Sequence, residues 1–233
     1  MARPVRAPQA DLFDRIDLPA GACAERDFKL QLEPGAWVLR AFALDDAPVL
    51  LAAIDHITQS AALRHMTTAR GWRMSVAMTN CGAAGWLSDC RGYRYGANDP
   101  LTNLPWPSMP EIFADLATRA AAAAGFDDFA PDACLINRYE SGARLSLHQD
   151  RNEADFDAPI VSVSLGVPAT FLWGGASRAV RPRRVPLEHG DVVVWGGPAR
   201  LHFHGVDPLR EAVHALTGNV RFNLTFRRAL AQG

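Results

Sequence analysis

Arg221-Phe222-Asn223-Leu224-Thr225-Phe226-Arg227 alternates strictly between polar and apolar residues. Successive side chains of an extended strand point to opposite faces, so Phe222, Leu224 and Phe226 share one face and Arg221, Asn223, Thr225 and Arg227 the other. Six more short apolar runs precede this strand, at 134–139, 160–165, 169–173, 184–187, 191–195 and 201–205, separated by Gly, Pro and charged turns. Strands this short and this evenly spaced indicate an antiparallel sandwich or barrel. Upstream, the signals are helical. Asp45 or Asp46 can cap a segment running to about residue 58, with Pro48 tolerated in its first turn. Ser108 and Glu111 read as a capping box for a helix through Ile112, Leu116 and the alanines at 120–124, stopped by Gly125. Helices come first and strands later, which predicts an α+β chain whose core is a β-sandwich or jelly roll with helices packed outside. Residues 1–34 show no periodicity and read as a loosely ordered arm. No linker or repeat divides 35–233, which reads as one domain.

The 233 residues are 48% hydrophobic and 21% charged, ordinary values that exclude a disordered chain or a coiled coil. Cys23, Cys81, Cys90 and Cys134 contain no C-x-x-C spacing, so neither a zinc ribbon nor a disulfide scaffold is expected. No run of 18 apolar residues is present, and Asp11, Asp14 and Asp17 interrupt the region where a signal peptide needs an apolar stretch. These features predict a cytoplasmic protein without a membrane partner. The net charge of −1 is unevenly spread: residues 176–233 carry 9 basic and 4 acidic groups. Arg178, Arg181, Arg183 and Arg184 form a run without an acid, suited to phosphate contacts or to a solvated loop.

Chemistry concentrates in three places. His148-Gln149-Asp150 puts an imidazole and a carboxylate on one strand face, a pair able to converge on one metal ion. The second copy of this pattern, His189-Gly190-Asp191, reads as a hairpin turn serving backbone geometry. A facial triad needs another histidine from a distant strand, and His202 and His204 both qualify by spacing; satisfied core histidines are the bland reading. On the polar face of 221–227, the two arginines flanking Asn223 suit either a solvated edge or a pocket for a dicarboxylate, to which Asn137 and Tyr139 could contribute. From Trp72 to Tyr95, Trp86, Tyr93 and Tyr95 interleave with Arg91 and Arg94, and C-R-G-Y-R-Y is too polar for a core strand. Aromatic rings beside guanidinium groups are apparatus for single-stranded nucleic acid.

Together these residues resemble the AlkB family of Fe(II)- and 2-oxoglutarate-dependent dioxygenases, which reverse alkylation damage in nucleic acids. The likeness spans roughly residues 34–228. It rests on M-S-V-A-M-T-N-C-G (74–82), D-A-C-L-I-N-R-Y (132–139), L-S-L-H-Q-D (145–150), P-I-V-S-V-S-L-G (159–166), H-G-D-V-V-V-W-G-G (189–197), H-G-V (204–206) and R-F-N-L-T-F-R (221–227). The resemblance implies a double-stranded β-helix, or jelly roll, at about 132–228 and an N-terminal nucleotide-recognition lid at about 66–100. It implies that His148, Asp150 and His204 bind Fe(II) and form the catalytic centre, and that Asn137, Tyr139, Arg221, Asn223 and Arg227 hold 2-oxoglutarate, with O2 as the other cosubstrate. Trp86 would stack on the target base opposite the ring of His148, Met78, Thr68 and Arg178 would line the base pocket, and Tyr93 and Arg144 would touch phosphates. Asn152 stands where the family pattern has an acidic residue facing the exocyclic edge of the base, and Arg151 replaces a lysine.

The implied activity is DNA repair: oxidative removal of N-methyl groups from 1-methyladenine and 3-methylcytosine in alkylated single-stranded DNA or RNA, or in duplex DNA after the base is extruded. Formaldehyde and succinate would be released, and a monomer is expected. The competing readings are a 2-oxoglutarate oxygenase acting on a small molecule or protein, a non-redox metal enzyme on a cupin-like barrel, and a noncatalytic nucleic-acid binding module.

Overall fold

The structure, a computed structural model, describes residues 28–231. The arm expected over 1–34 lies mostly outside the described residues, and its last part is a strand, β1 (Lys29–Glu33). Leu30 and Leu32 pack against a core there, so the K-L-Q-L-E alternation is a half-buried strand rather than loose chain.

The first half of the chain is richer in strands than its sequence suggests. After β1 come β2 (Ala36–Leu39), α1 (Ala47–Ser60), β3 (Arg64–Thr67), β4 (Arg73–Gly82), β5 (Gly85–Asp89), β6 (Gly92–Gly96) and α2 (Glu111–Ala123). The second half is β7 (Ala133–Tyr139), β8 (Leu145–His148), β9 (Ile160–Gly166), β10 (Ala169–Trp173), β11 (Arg183–Leu187), β12 (Val192–Trp195), β13 (His204–Val206) and β14 (Arg221–Arg227). The helix signals are nearly right in position, but neither expected capping bond forms. Asp46 is the N-cap of α1 but makes no capping bond; its carboxylate instead takes Arg119 Nη2 at 2.7 Å. The Ser108/Glu111 capping box does not form. Pro110, extended at ψ 143°, is the N-cap, so the helix starts at Glu111. Gly125 does end it, with its N–H bonded to the Ala122 carbonyl.

Two antiparallel sheets make the double-stranded β-helix. The large one has the order β1-β2-β12-β9-β14-β7-β4-β3, the small one β11-β10-β13-β8, and β5-β6 form a separate hairpin. Helices α1 and α2 cover the outer face of the large sheet, where Ile54, Phe113, Ile136, Val161, Val163, Val192, Leu224 and Phe226 pack together. Its inner face meets the small sheet through Tyr139, Phe171, Trp173, Val193 and Trp195. The β14 strand is central, so the polar face of R-F-N-L-T-F-R is buried inside the sandwich and is not a solvated edge. In I-V-S-V-S-L-G the valines enter the helix-side core and Ser162 and Ser164 face inward. The chain segment His189-Gly190-Asp191 is a turn, but it passes from β11 in one sheet to β12 in the other and is not a hairpin. Asp191 there is structural: it accepts the Ala41 and Glu188 N–H groups and Arg40. Among the described residues no helix is long and apolar enough to cross a membrane.

Candidate active site

His148 closes β8 and His204 opens β13, and the two are direct cross-strand partners with ring centroids 4.4 Å apart. Asp150 follows two residues after His148. Its carboxylate lies 3.7 Å from His148 Nε2 through Oδ1 and 3.8 Å from His204 Nε2 through Oδ2. One ligand atom from each of the three lies within 4.8 Å of the others, the spacing of groups able to share one ion. The close approach of β13 to β8 depends on Gly205, where a Cβ would sit 2.7 Å from the Leu145 carbonyl oxygen. That is the physical content of the H-G pair. Each imidazole is oriented from behind: His148 Nδ1 lies 2.8 Å from the Ser146 carbonyl and His204 Nδ1 3.0 Å from the His202 carbonyl. A carbonyl only accepts, so both Nδ1 atoms carry a proton, and Nε2 is the atom each ring would offer to a metal. Burial, with His148 beside it, pushes His204 down to about 3 and keeps it neutral. His202, equivalent by spacing, is turned away: its Nδ1 pairs with Glu33 Oε1 at 2.6 Å.

Behind the triad lies a buried ionic network that the sequence did not signal. Arg227 donates from Nε and Nη2 to Asp150 Oδ2 at 2.9 and 2.7 Å. Burial opposes the Asp150 charge, but Arg227 and then the two histidines hold its carboxyl well below the usual carboxylate range. Glu153, 5% exposed, lies 3.4 Å from Arg227 Nε, takes Arg200 Nη2 at 3.2 Å and accepts Tyr95 OH at 2.7 Å. Arg200 also clamps the Asp150 carbonyl at 2.9 Å. Glu153 lies in the polar loop 151–157 and Arg200 in the loop after Gly197, where a charged residue reads as solvated. Arg227, expected among the 2-oxoglutarate residues, is therefore engaged with Asp150, the carboxylate of the candidate metal site.

The other residues of that group do converge. Arg221 and Tyr139 are cross-strand partners, as are Asn223 and Asn137. The Arg221 guanidinium lies 4.9 Å over the Tyr139 ring, with Nη2 bonded to Ser164 Oγ at 2.9 Å. Its Nε and Nη1, the Tyr139 hydroxyl and Asn137 Oδ1 are buried without hydrogen-bond partners among the described residues. Burial lowers the Arg221 pKa and pushes the Tyr139 hydroxyl up to about 12. Buried donors on a cation and a hydroxyl are costly unless met, and a carboxylate meets both. Asn223 is held by Ser162 Oγ and the Val163 carbonyl. Ser162 and Ser164 were missed because a serine inside a valine run carries no signal by itself.

The expected substrate residues are more scattered. Trp86 on β5 stacks on Tyr93 of β6, centroids 5.4 Å apart, so the two form one aromatic unit. Asn80 of β4 holds the Trp86 backbone at both its N–H and its carbonyl. Met78 is 2% exposed and belongs to the core, on the same register position as Asn137, with almost no surface for a base. Thr68 lies in the turn after β3, and Arg144 and Asn152 are exposed on loops at either end of β8. Arg178 reaches from the β10–β11 connection to the Leu147 carbonyl at 2.5 Å. In the same run Arg184 pairs with Asp207, while Arg181 and Arg183 are exposed. Of the segment 66–100, only β5 and β6 stand apart as a small sheet; β4 is part of the main one.

A jelly roll with a His-x-Asp and distant His cluster beside a buried arginine defines the non-heme iron oxygenase class. The model of the 2OG-Fe(II) oxygenase superfamily matches residues 35–227. The chain is 55% identical to the alpha-ketoglutarate-dependent dioxygenase AlkB of Salmonella typhimurium over 88% of its own length and 95% of that protein. It is equally 55% identical to AlkB of Escherichia coli, covering 85% and 92%. A solved structure titled OsALKBH1 superposes with a TM-score of 0.76 at 29% identity, covering 86% of this chain and 99% of that one. The chain belongs to the AlkB family of the 2OG-Fe(II) oxygenase superfamily. It is a dioxygenase that depends on Fe(II), 2-oxoglutarate and O2, and the donor set of two imidazoles and one carboxylate fits that metal.

Proposed function

We propose that this protein removes N-methyl groups oxidatively from alkylated nucleic-acid bases, 1-methyladenine and 3-methylcytosine first among them, releasing formaldehyde and succinate. The observation that carries the reading is the juxtaposition of three convergent candidate metal ligands with a buried guanidinium, two of whose donors are unpartnered among the described residues, and an unpartnered hydroxyl. His148, Asp150 and His204 would hold Fe(II) on one face. Arg221 and Tyr139 would take a carboxylate of 2-oxoglutarate, with Asn137 and Asn223 beside it and Arg227 bracing Asp150. When bound, the metal and the keto acid supply with O2 an oxidant able to break a methyl C–H bond. The protein residues orient the cosubstrate, exclude water from it and bring the methylated base within reach.

Recognition falls to the exposed rim. The Trp86–Tyr93 unit offers a ring face to a base taken out of its stack, and stacking on a cationic methylated base adds cation–π attraction of about 0.5–2 kcal/mol. Thr68, Asn152 and Arg178 would border the base, with Met78 in the floor beneath, and Arg144 would contact phosphate. The β5–β6 hairpin would serve as the lid. Asn152 is neutral, so it can hydrogen-bond an exocyclic amine but cannot offset a positive lesion. Alkylated single-stranded DNA is the favoured substrate, with RNA and duplex DNA accepted by the same base-extrusion logic, and the protein acts as a cytoplasmic monomer.

The test is sequential. Anaerobic addition of Fe(II) and 2-oxoglutarate should produce the visible charge-transfer band of a chelated complex. Oxygen and a methylated oligonucleotide should then yield formaldehyde. The band without formaldehyde would leave an oxygenase of another substrate; no band would remove the metal site itself.

A further inference from the structure

Trp72 is the most exposed aromatic side chain among the described residues, at 74%. It is not loosely held. It sits in the tight connection between β3 and β4, where Thr68 N–H donates to the Trp72 carbonyl at 2.9 Å, Trp72 N–H donates to Thr68 Oγ1 at 3.2 Å and Gly71 N–H donates to the Thr68 carbonyl at 2.8 Å. A backbone closed this firmly presents a large apolar ring to water at low conformational cost, the property of a preformed contact. Arg70 and Arg73 flank it, both exposed.

The hairpin is tied to the two rim elements already described. Ser88 of β5, two residues beyond Trp86, donates to the Thr67 carbonyl at 2.6 Å. On the other side, Ser75 Oγ donates to the Arg144 carbonyl and accepts the Arg144 N–H, both at 3.0 Å. The tip therefore lies on a rigid bridge between the aromatic unit and the Arg144 loop. An exposed indole between guanidinium groups has the chemistry of a nucleobase platform flanked by phosphate contacts. Its positive surroundings argue against an apolar protein surface as the occupant.

We propose that Trp72 stacks on an unmodified base neighbouring the methylated one, making the β3–β4 tip a second nucleotide subsite that reads unpaired strand without regard to sequence. The proposal rests on the nucleic-acid reading above. It predicts that the holoenzyme prefers a methylated trinucleotide over one whose flanking positions are abasic but keep their phosphates, measured as kcat/KM for formaldehyde release. Trp72→Ala should erase that preference, a loss of roughly five- to hundredfold in the ratio, and Trp72→Phe should retain most of it. Equilibrium binding of the same two oligonucleotides by fluorescence anisotropy should show the same pattern. A preference that survives Trp72→Ala, or that wild type never shows, overturns the proposal. Wild type that releases no formaldehyde from any methylated oligonucleotide overturns the demethylation reading itself, and this subsite with it.

Discussion

Arg221 makes two opposite demands on stability, and replacing it with methionine separates them. The side chain is 1% exposed, and two of its donors have no hydrogen-bond partner among the described residues. Each unmet buried donor costs about 1–3 kcal/mol. The Ser164 bond returns about 1.5–3 kcal/mol and the contact with the Tyr139 ring about 0.5–2 kcal/mol. These terms nearly cancel, so Arg221→Met should leave the ligand-free protein within about 2 kcal/mol of wild type, on the stabilising side as readily as the other. With 2-oxoglutarate the balance is one-sided. The buried carboxylate loses its charged partner, which costs about 2–5 kcal/mol, so the dissociation constant rises about thirty- to several-thousandfold. The assay is thermal melting with Mn(II) as the metal, with and without 2-oxoglutarate. At a hundred times its dissociation constant the cosubstrate stabilises wild type by about 2.7 kcal/mol, a rise of about 5–11 °C in Tm for a chain of this size. The methionine variant should show no more than about 3 °C at that concentration, from a baseline within about 8 °C of wild type. A variant that keeps the full shift would move the carboxylate site elsewhere. One that melts far below wild type without cosubstrate would make Arg221 a structural residue.

Substitutions at three further positions probe the neighbouring elements. Asp150→Ala should abolish 2-oxoglutarate turnover and, by leaving Arg227 buried without its bidentate partner, lower apo stability by about 3–5 kcal/mol in urea unfolding; Asp150→Asn should lose turnover with a smaller stability cost, and retained turnover in either would remove the triad. Gly205→Ala should push β13 from β8 and weaken metal binding at least tenfold by titration of the charge-transfer band, because the added methyl meets the Leu145 carbonyl at 2.7 Å; unchanged metal affinity would show that the register tolerates it. Trp86→Ala should weaken methylated-oligonucleotide binding about five- to hundredfold while the charge-transfer band stays intact, and a lost band would mean the indole supports the metal site.

The jelly-roll half of the chain was legible because its strands are short, amphipathic and punctuated: the runs at 169–173 and 221–227 are strands β10 and β14 to the residue. The first half was not. The large sheet draws β1, β2, β3 and β4 from it, and segments such as Ala36–Leu39 are too short for periodicity to declare them. They are strands because β12 offers an edge to β2 at one end of the sheet and β7 an edge to β4 at the other, a fact of tertiary pairing.

The site divides in the same way. Local sequence determined that His148 and Asp150 share a face and that Arg221, Asn223 and Arg227 line one side of a strand, since side-chain direction follows from the two-residue repeat of extended chain. What the repeat cannot supply is the partner across the sheet or the environment on either side. Folding chose His204 over His202 by pairing it with His148 and sending its neighbour to Glu33. It likewise turned Arg227 onto Asp150 while leaving Arg221 with open donors, because electrostatic contacts depend on distances between strands far apart in the chain.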